Sequence, residues 1–132
     1  MDAQRQPKLL IVDDEPTIVE FTQKIYEKKG FITFGADDGI KAVEIFQKER
    51  PEVNLIDVHM PFSPIDGTET LRRIKEIDKN ACCIMVSRVT DKERVEACRK
   101  NGASAYILKP FDLDVLDNTI TEITKIQIPK ET

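Results

Sequence analysis

Residues 8–15 read Lys8-Leu9-Leu10-Ile11-Val12-Asp13-Asp14-Glu15, an unbroken run of branched apolar residues that ends abruptly in acids. The run is too short for a helix and does not alternate with polar residues. It therefore reads as a strand buried on both faces, as in a parallel sheet. Pro16, which is tolerated in the opening turn of a helix, comes next. Ile18, Phe21 and Ile25 then recur at helical spacing until Gly30 supplies a stop. One strand and one helix are thus spelled out in about twenty residues, with an acidic pair at the junction.

The same unit repeats along the chain. Further short apolar runs lie at Phe31–Phe34, Val53–Ile56, Cys82–Val86 and Ala105–Leu108. Between them stand segments of helical period. The second is marked by Ile40, Val43 and Phe46 and runs into Pro51; the third is marked by Leu71, Ile74 and Ile77. The fourth has Thr90 and Glu93 at capping-box spacing, Val95 and Cys98 on its apolar side, and Gly102 beyond its end. Asp112 stands where it can cap the fifth, whose stripe is Leu113, Leu116, Ile120 and Ile123. Strand alternating with helix implies right-handed crossovers and a sheet covered on both sides, a doubly wound α/β domain. The expected domain is 8–126, with 127–132 as a tail or linker stub.

Composition narrows the function. The chain has 132 residues, 40% of them hydrophobic and 33% charged, which supports one domain with its own core. A net charge of −4 and a pI near 5.1 argue against direct nucleic-acid binding, which selects basic faces. No stretch approaches a membrane span, and the residues after Met1 do not form a signal peptide, so no membrane role and a cytoplasmic location are expected. Three cysteines, with Cys82 and Cys83 adjacent in an apolar run, read as buried thiols facing opposite sides of a strand.

The chemical signal is positional. Asp13 and Asp14 follow the first strand, Asp57 the third, Ser87 the fourth and Lys109 the fifth. In an open parallel sheet all these positions lie on the carboxyl edge, where such folds bind ligands. Three carboxylates gathered there repel one another unless a cation joins them, and hard oxygen donors suit Mg²⁺. With Lys109 and Ser87 they form a cradle for a phosphoryl group, and Asp57 is the carboxylate best placed to attack phosphorus. Taken singly, Asp13 and Asp14 could simply cap a helix, and Lys109-Pro110 could be an ordinary strand exit. The set carries the signal.

LLIVDDE at 9–15, LIDVHMP at 55–61, Asp66-Gly67, MVS at 85–87 and YILKPF at 106–111 together resemble the receiver (CheY-like) domain of two-component response regulators. The resemblance runs from about Lys8 to about Ile126. It implies a five-stranded parallel sheet in the order 2-1-3-4-5 flanked by five helices. It implies that Asp57 is the phosphoacceptor, charged by a sensor histidine kinase or a histidine phosphotransfer protein. Mg²⁺ would be held by Asp13, Asp14, Asp57 and the backbone carbonyl of His59. Lys109 would pair with the phosphoryl oxygens across a cis Lys109-Pro110 bond. Ser87 and Tyr106 would form the switch, altering the face of the fourth and fifth helices, where a downstream partner, a further output domain or a second copy would bind. Such a protein is not an enzyme beyond its own phosphorylation and dephosphorylation.

Two departures stand out. Four residues, Phe62-Ser63-Pro64-Ile65, separate Pro61 from Asp66-Gly67, where the family usually has two, and Arg88 follows Ser87 where a small residue is usual. A longer loop reshapes the rim of the site. The alternatives are a receiver-like scaffold that does not use phosphorylation and, from the enzyme class, a small phosphohydrolase with an aspartyl-phosphate intermediate. The second Asp that the phosphohydrolase requires after its first strand is missing, because Asp13-Asp14-Glu15-Pro16-Thr17 stands there.

Overall fold

In a computed structural model that describes residues 5–88 and 90–129, strands and helices alternate without interruption. The order is β1 (Lys8–Val12), α1 (Pro16–Lys28), β2 (Ile32–Ala36), α2 (Gly39–Glu49), β3 (Val53–Asp57), α3 (Gly67–Ile77), β4 (Cys83–Ser87), α4 (Lys92–Lys100), β5 (Ala105–Leu108) and α5 (Leu113–Thr124). The strands form one parallel sheet in the order β2-β1-β3-β4-β5, the arrangement expected. The three inner strands β1, β3 and β4 are the near-continuous apolar runs, because only they are covered on both faces with neighbours on both sides.

Strand alternation sends successive side chains to two separate cores. Leu10, Val12, Ile56 and Met85 pack on one face with Phe46, Leu71, Ile74 and Cys98. Leu9, Ile11, Leu55 and Ile84 pack on the other with Tyr26, Leu116 and Ile120. Each fully buried aliphatic contributes about 1.5–3 kcal/mol, so the sheet is held from both sides. Cys82 and Cys83 fall into opposite cores, as the strand period requires. Burial pushes the Cys83 thiol up to about 12, which leaves it protonated and inert.

The structure corrects five local readings. β2 begins one residue later and continues through Gly35 and Ala36, which pair with Ile11 and Val12. Gly35 is needed there: a Cβ would lie 2.4 Å from Val19 Cγ1, so α1 packs directly on this strand. Consequently α1 buries Val19 and Tyr26, while Ile18 and Phe21 are 40% and 65% exposed. Ile18, Phe21 and Ile25 line an apolar cavity of about 240 Å³ beside Phe111, Leu113 and Leu116, and Ile25 also packs against the second core. β4 starts at Cys83 rather than Cys82. At α4 the cap is Asp91, whose carboxylate accepts from the Glu93 N–H, and not Thr90; Asp112 occupies the N-cap of α5 without a side-chain cap bond.

Past α5, Ile126 and Ile128 fold back against the second core. Of the expected tail 127–132, residues 130–132 lie outside the described part. Among the described residues no helix is long and apolar enough to cross a membrane.

Candidate functional site at the carboxyl edge of the sheet

Each chain reversal at the carboxyl edge is built to hold a polar side chain. β1 ends at Val12, and the next N–H, that of Asp13, donates to Ala36 O (3.1 Å), extending the ladder by one residue. Asp13 is only 4% exposed. Its Oδ1 accepts from the Glu15 N–H (2.9 Å), which fixes the turn into α1. Asp57, 8% exposed, is the last residue of the central strand β3, and the following N–H of Val58 donates to Val86 O (2.9 Å). Ser87, 1% exposed, ends β4, and its carbonyl accepts from the Lys109 N–H (2.8 Å), so the exits of β4 and β5 are tied together.

The loop from β3 to α3 closes tightly on the acceptor strand. The Gly67 N–H donates to Val58 O (2.9 Å), and a Cβ on Gly67 would lie 2.1 Å from Asp57 O. No side chain fits there, which is the physical content of Asp66-Gly67. Asp66 supplies the N-cap of α3, accepting from the Glu69 N–H (2.9 Å).

Asp13, Asp14 and Asp57 each bring a carboxylate oxygen within 4.8 Å of the others. Lys109 Nζ stands 3.2 Å from Asp13 Oδ2 and 3.5 Å from Asp57 Oδ2, so the one ammonium is shared and lies nearer the first. Burial pushes the Asp57 carboxyl above its ordinary value; the Lys109 charge opposes this, the Asp13 charge reinforces it, and a backbone hydrogen bond at His59 opposes it. Three carboxylates against one ammonium leave surplus negative charge in a poorly solvated place. The donors are all hard oxygens, the set that fits a small divalent cation.

The sequence-derived site residues therefore converge as far as Asp13, Asp14, Asp57 and Lys109 are concerned, with Ser87 buried at the same edge. His59, two residues beyond β3, is exposed. Tyr106 is half-buried in β5 and packs against the first core. The Lys109-Pro110 bond is cis. Arg88 is exposed. One participant was invisible in the sequence: the Phe62 N–H donates to Asp14 Oδ2 (3.0 Å). Every non-proline residue carries a backbone N–H, so no residue type signals it.

Known proteins resemble this chain in sequence and in fold. The sequence model of the response regulator receiver domain matches residues 9–121. Sporulation initiation phosphotransferase F of Bacillus subtilis is 34% identical over 113 residues, covering 86% of this chain and 90% of that protein. Chemotaxis protein CheY of Halobacterium salinarum is 31% identical over 116 residues, covering 88% and 95%. Among solved structures, a Francisella response regulator receiver domain superposes with a TM-score of 0.79 at 29% identity over 90% of this chain and 97% of that one. With strand order, edge chemistry and sequence in agreement, the chain belongs to the receiver domain family of two-component response regulators.

Proposed function

We propose that this receiver domain accepts a phosphoryl group on Asp57 and uses it to change a protein-binding surface. The observation that carries the reading is the position of the Asp57 carboxylate: at the end of the central strand, shielded from bulk water, within 4.8 Å of two further carboxylates and 3.5 Å from an ammonium. The name of the Bacillus relative, a phosphotransferase, supports the same chemistry. An Asp57 oxygen attacks phosphorus of a phosphohistidine, the P–N bond breaks, and the imidazole nitrogen leaves with the bonding pair. Lys109 then balances charge on the phosphoryl oxygens, and the Ser87 hydroxyl, buried at the same edge, donates to one of them.

The all-oxygen donor set fits Mg²⁺, held by Asp13, Asp14 and Asp57 with the backbone carbonyl of His59. When bound, the ion supplies charge neutralisation for the transferred group. The proposed donor is a sensor histidine kinase or a histidine phosphotransfer protein in the cytoplasm, and the proposed unit is 8–126 with 127–132 as a tail or linker. New contacts to the phosphoryl group bias a two-state element of Ser87 and Tyr106, and with it the face of α4, β5 and α5. A downstream protein, an output domain or a second copy reads that face. Chemistry is confined to the domain's own phosphorylation and dephosphorylation.

Intact-mass spectrometry tests this. Incubated with acetyl phosphate and Mg²⁺, the protein is expected to gain a single phosphate adduct that is absent from Asp57→Asn and absent in EDTA. An adduct of equal yield on Asp57→Asn overturns the assignment of the acceptor. A metal-independent adduct overturns the role of the ion.

A further inference from the structure

Residues Phe62 to Ile65, a loop two residues longer than is usual in the family, form a braced platform that reaches the acidic cluster through a backbone group. Phe62 presents its ring to solvent, 87% exposed, so the side chain does not fix the loop. Three hydrogen bonds do. The Ser63 N–H donates to Met60 O (3.1 Å) and closes a turn. The Ser63 Oγ accepts from the Gly39 N–H (2.9 Å) at the first residue of α2 and donates to Ile65 O (2.5 Å). Ile65 packs on Gly39, where a Cβ would lie 2.5 Å from Ile65 Cγ1. Anchored in this way to a second element, the loop aims the Phe62 N–H at Asp14 Oδ2, 3.0 Å away.

Asp14 needs such a partner more than its neighbours do. Asp13 is pinned by the Glu15 N–H and by Lys109, and Asp57 lies in a buried strand end beside the same ammonium. Asp14 is more exposed than either and stands outside the Lys109 ion pairs. An ionised carboxylate has about four acceptor directions, so an N–H on Oδ2 leaves capacity for a cation. Groups that orient a ligand from behind contribute roughly 10- to 100-fold to metal affinity.

We infer that the lengthened Phe62–Ile65 loop is a positioning clamp for the cation site, in which the Phe62 backbone N–H orients Asp14 and Ser63 braces the loop against α2. The inference rests on the acidic cluster holding a divalent cation, as proposed above.

Titration calorimetry with MgCl₂ on the full chain tests it, with melting curves to establish that each variant folds. Phe62→Pro removes the N–H and is expected to weaken Mg²⁺ binding about tenfold or more. Phe62→Ala keeps the N–H and separates backbone from side chain; its affinity is expected within about twofold of wild type. Ser63→Ala, which loosens the brace, is expected to fall several-fold. It carries the test alone if the proline variant does not fold. Wild-type affinity in both Phe62→Pro and Ser63→Ala overturns the clamp, and so does tighter binding, which would mean that the N–H competes with the ion. If the wild type itself binds no Mg²⁺, the metal reading fails first and the clamp with it.

Discussion

Asp117 and Asp57 are both carboxylates withdrawn from solvent, with side chains 14% and 12% exposed, and the protein treats them in opposite ways. Asp117, in α5, accepts from the Tyr26 hydroxyl (2.6 Å) and from Lys29 Nζ (2.6 Å), both from the α1 region. The ammonium also lies 5.5 Å above the Tyr26 ring. Burial first, and the Asp117 contact second, drives the Tyr26 hydroxyl well above its ordinary range, so it stays a proton donor. This seam is complete: each buried charge has its counterpart. Asp57 shares a single ammonium with Asp13 while Asp14 crowds the same space. A structural carboxylate is thus neutralised from within, whereas the site at the sheet edge is left with more negative charge than its shared ammonium balances.

The largest effect expected from this contrast is at the complete seam. Asp117→Ala leaves Lys29, 8% exposed, and the fully buried Tyr26 hydroxyl without their partner. Removing one member of a buried pair costs about 3–5 kcal/mol, read from urea unfolding, and Mg²⁺ binding should be unaffected. A loss under about 1 kcal/mol would place this pair in the class of exposed ion pairs, which contribute little.

At the incomplete site the sign reverses. Asp57→Asn removes one of the crowded charges and is expected to stabilise the protein in EDTA by about 1 kcal/mol, the usual size for relieving unfavourable charge. Mg²⁺ should raise the melting temperature of the wild type, because a ligand of the folded state stabilises by mass action, and should do so much less in the variant. A destabilised Asp57→Asn would show that Lys109 already balances the cluster.

This contrast also marks what the sequence discloses. Strands and helices were legible because an unbroken apolar run and a 3.6-residue period are local, and the site was legible because strand ends have fixed addresses in a parallel sheet. Asp13, Asp57, Ser87 and Lys109 needed only a count of elements. The buried face of α1 was only partly legible: Ile25 packs on the second core as its spacing suggests, but Val19 and Tyr26 are the buried residues, and the absence of a side chain at Gly35 is what lets Val19 approach β2. Nor was the seam, whose bonds join residues 88 and 91 positions apart. The preference of Lys109 for Asp13 over Asp57, a difference of 3.2 against 3.5 Å, is a matter of side-chain packing that no motif encodes.

The smallest expected effect is a slope. In the folded protein the Asp57 carboxyl titrates above its ordinary value of 3.8, because burial disfavours the charged form. A folded value raised above the unfolded one means that the native state holds the proton more tightly. The resulting stabilisation is fully present below the unfolded value and is lost as pH rises through the folded value. In EDTA, the stability difference between Asp57→Asn and wild type should therefore be flat below about pH 4, grow in favour of the variant as pH rises, and level off once Asp57 is ionised in both states. Saturating Mg²⁺ should flatten the curve or reverse it, since a bound cation favours the ionised carboxylate in the folded state. A difference that shrinks with rising pH in EDTA would mean that Lys109 outweighs burial, and the two buried carboxylates would then be alike.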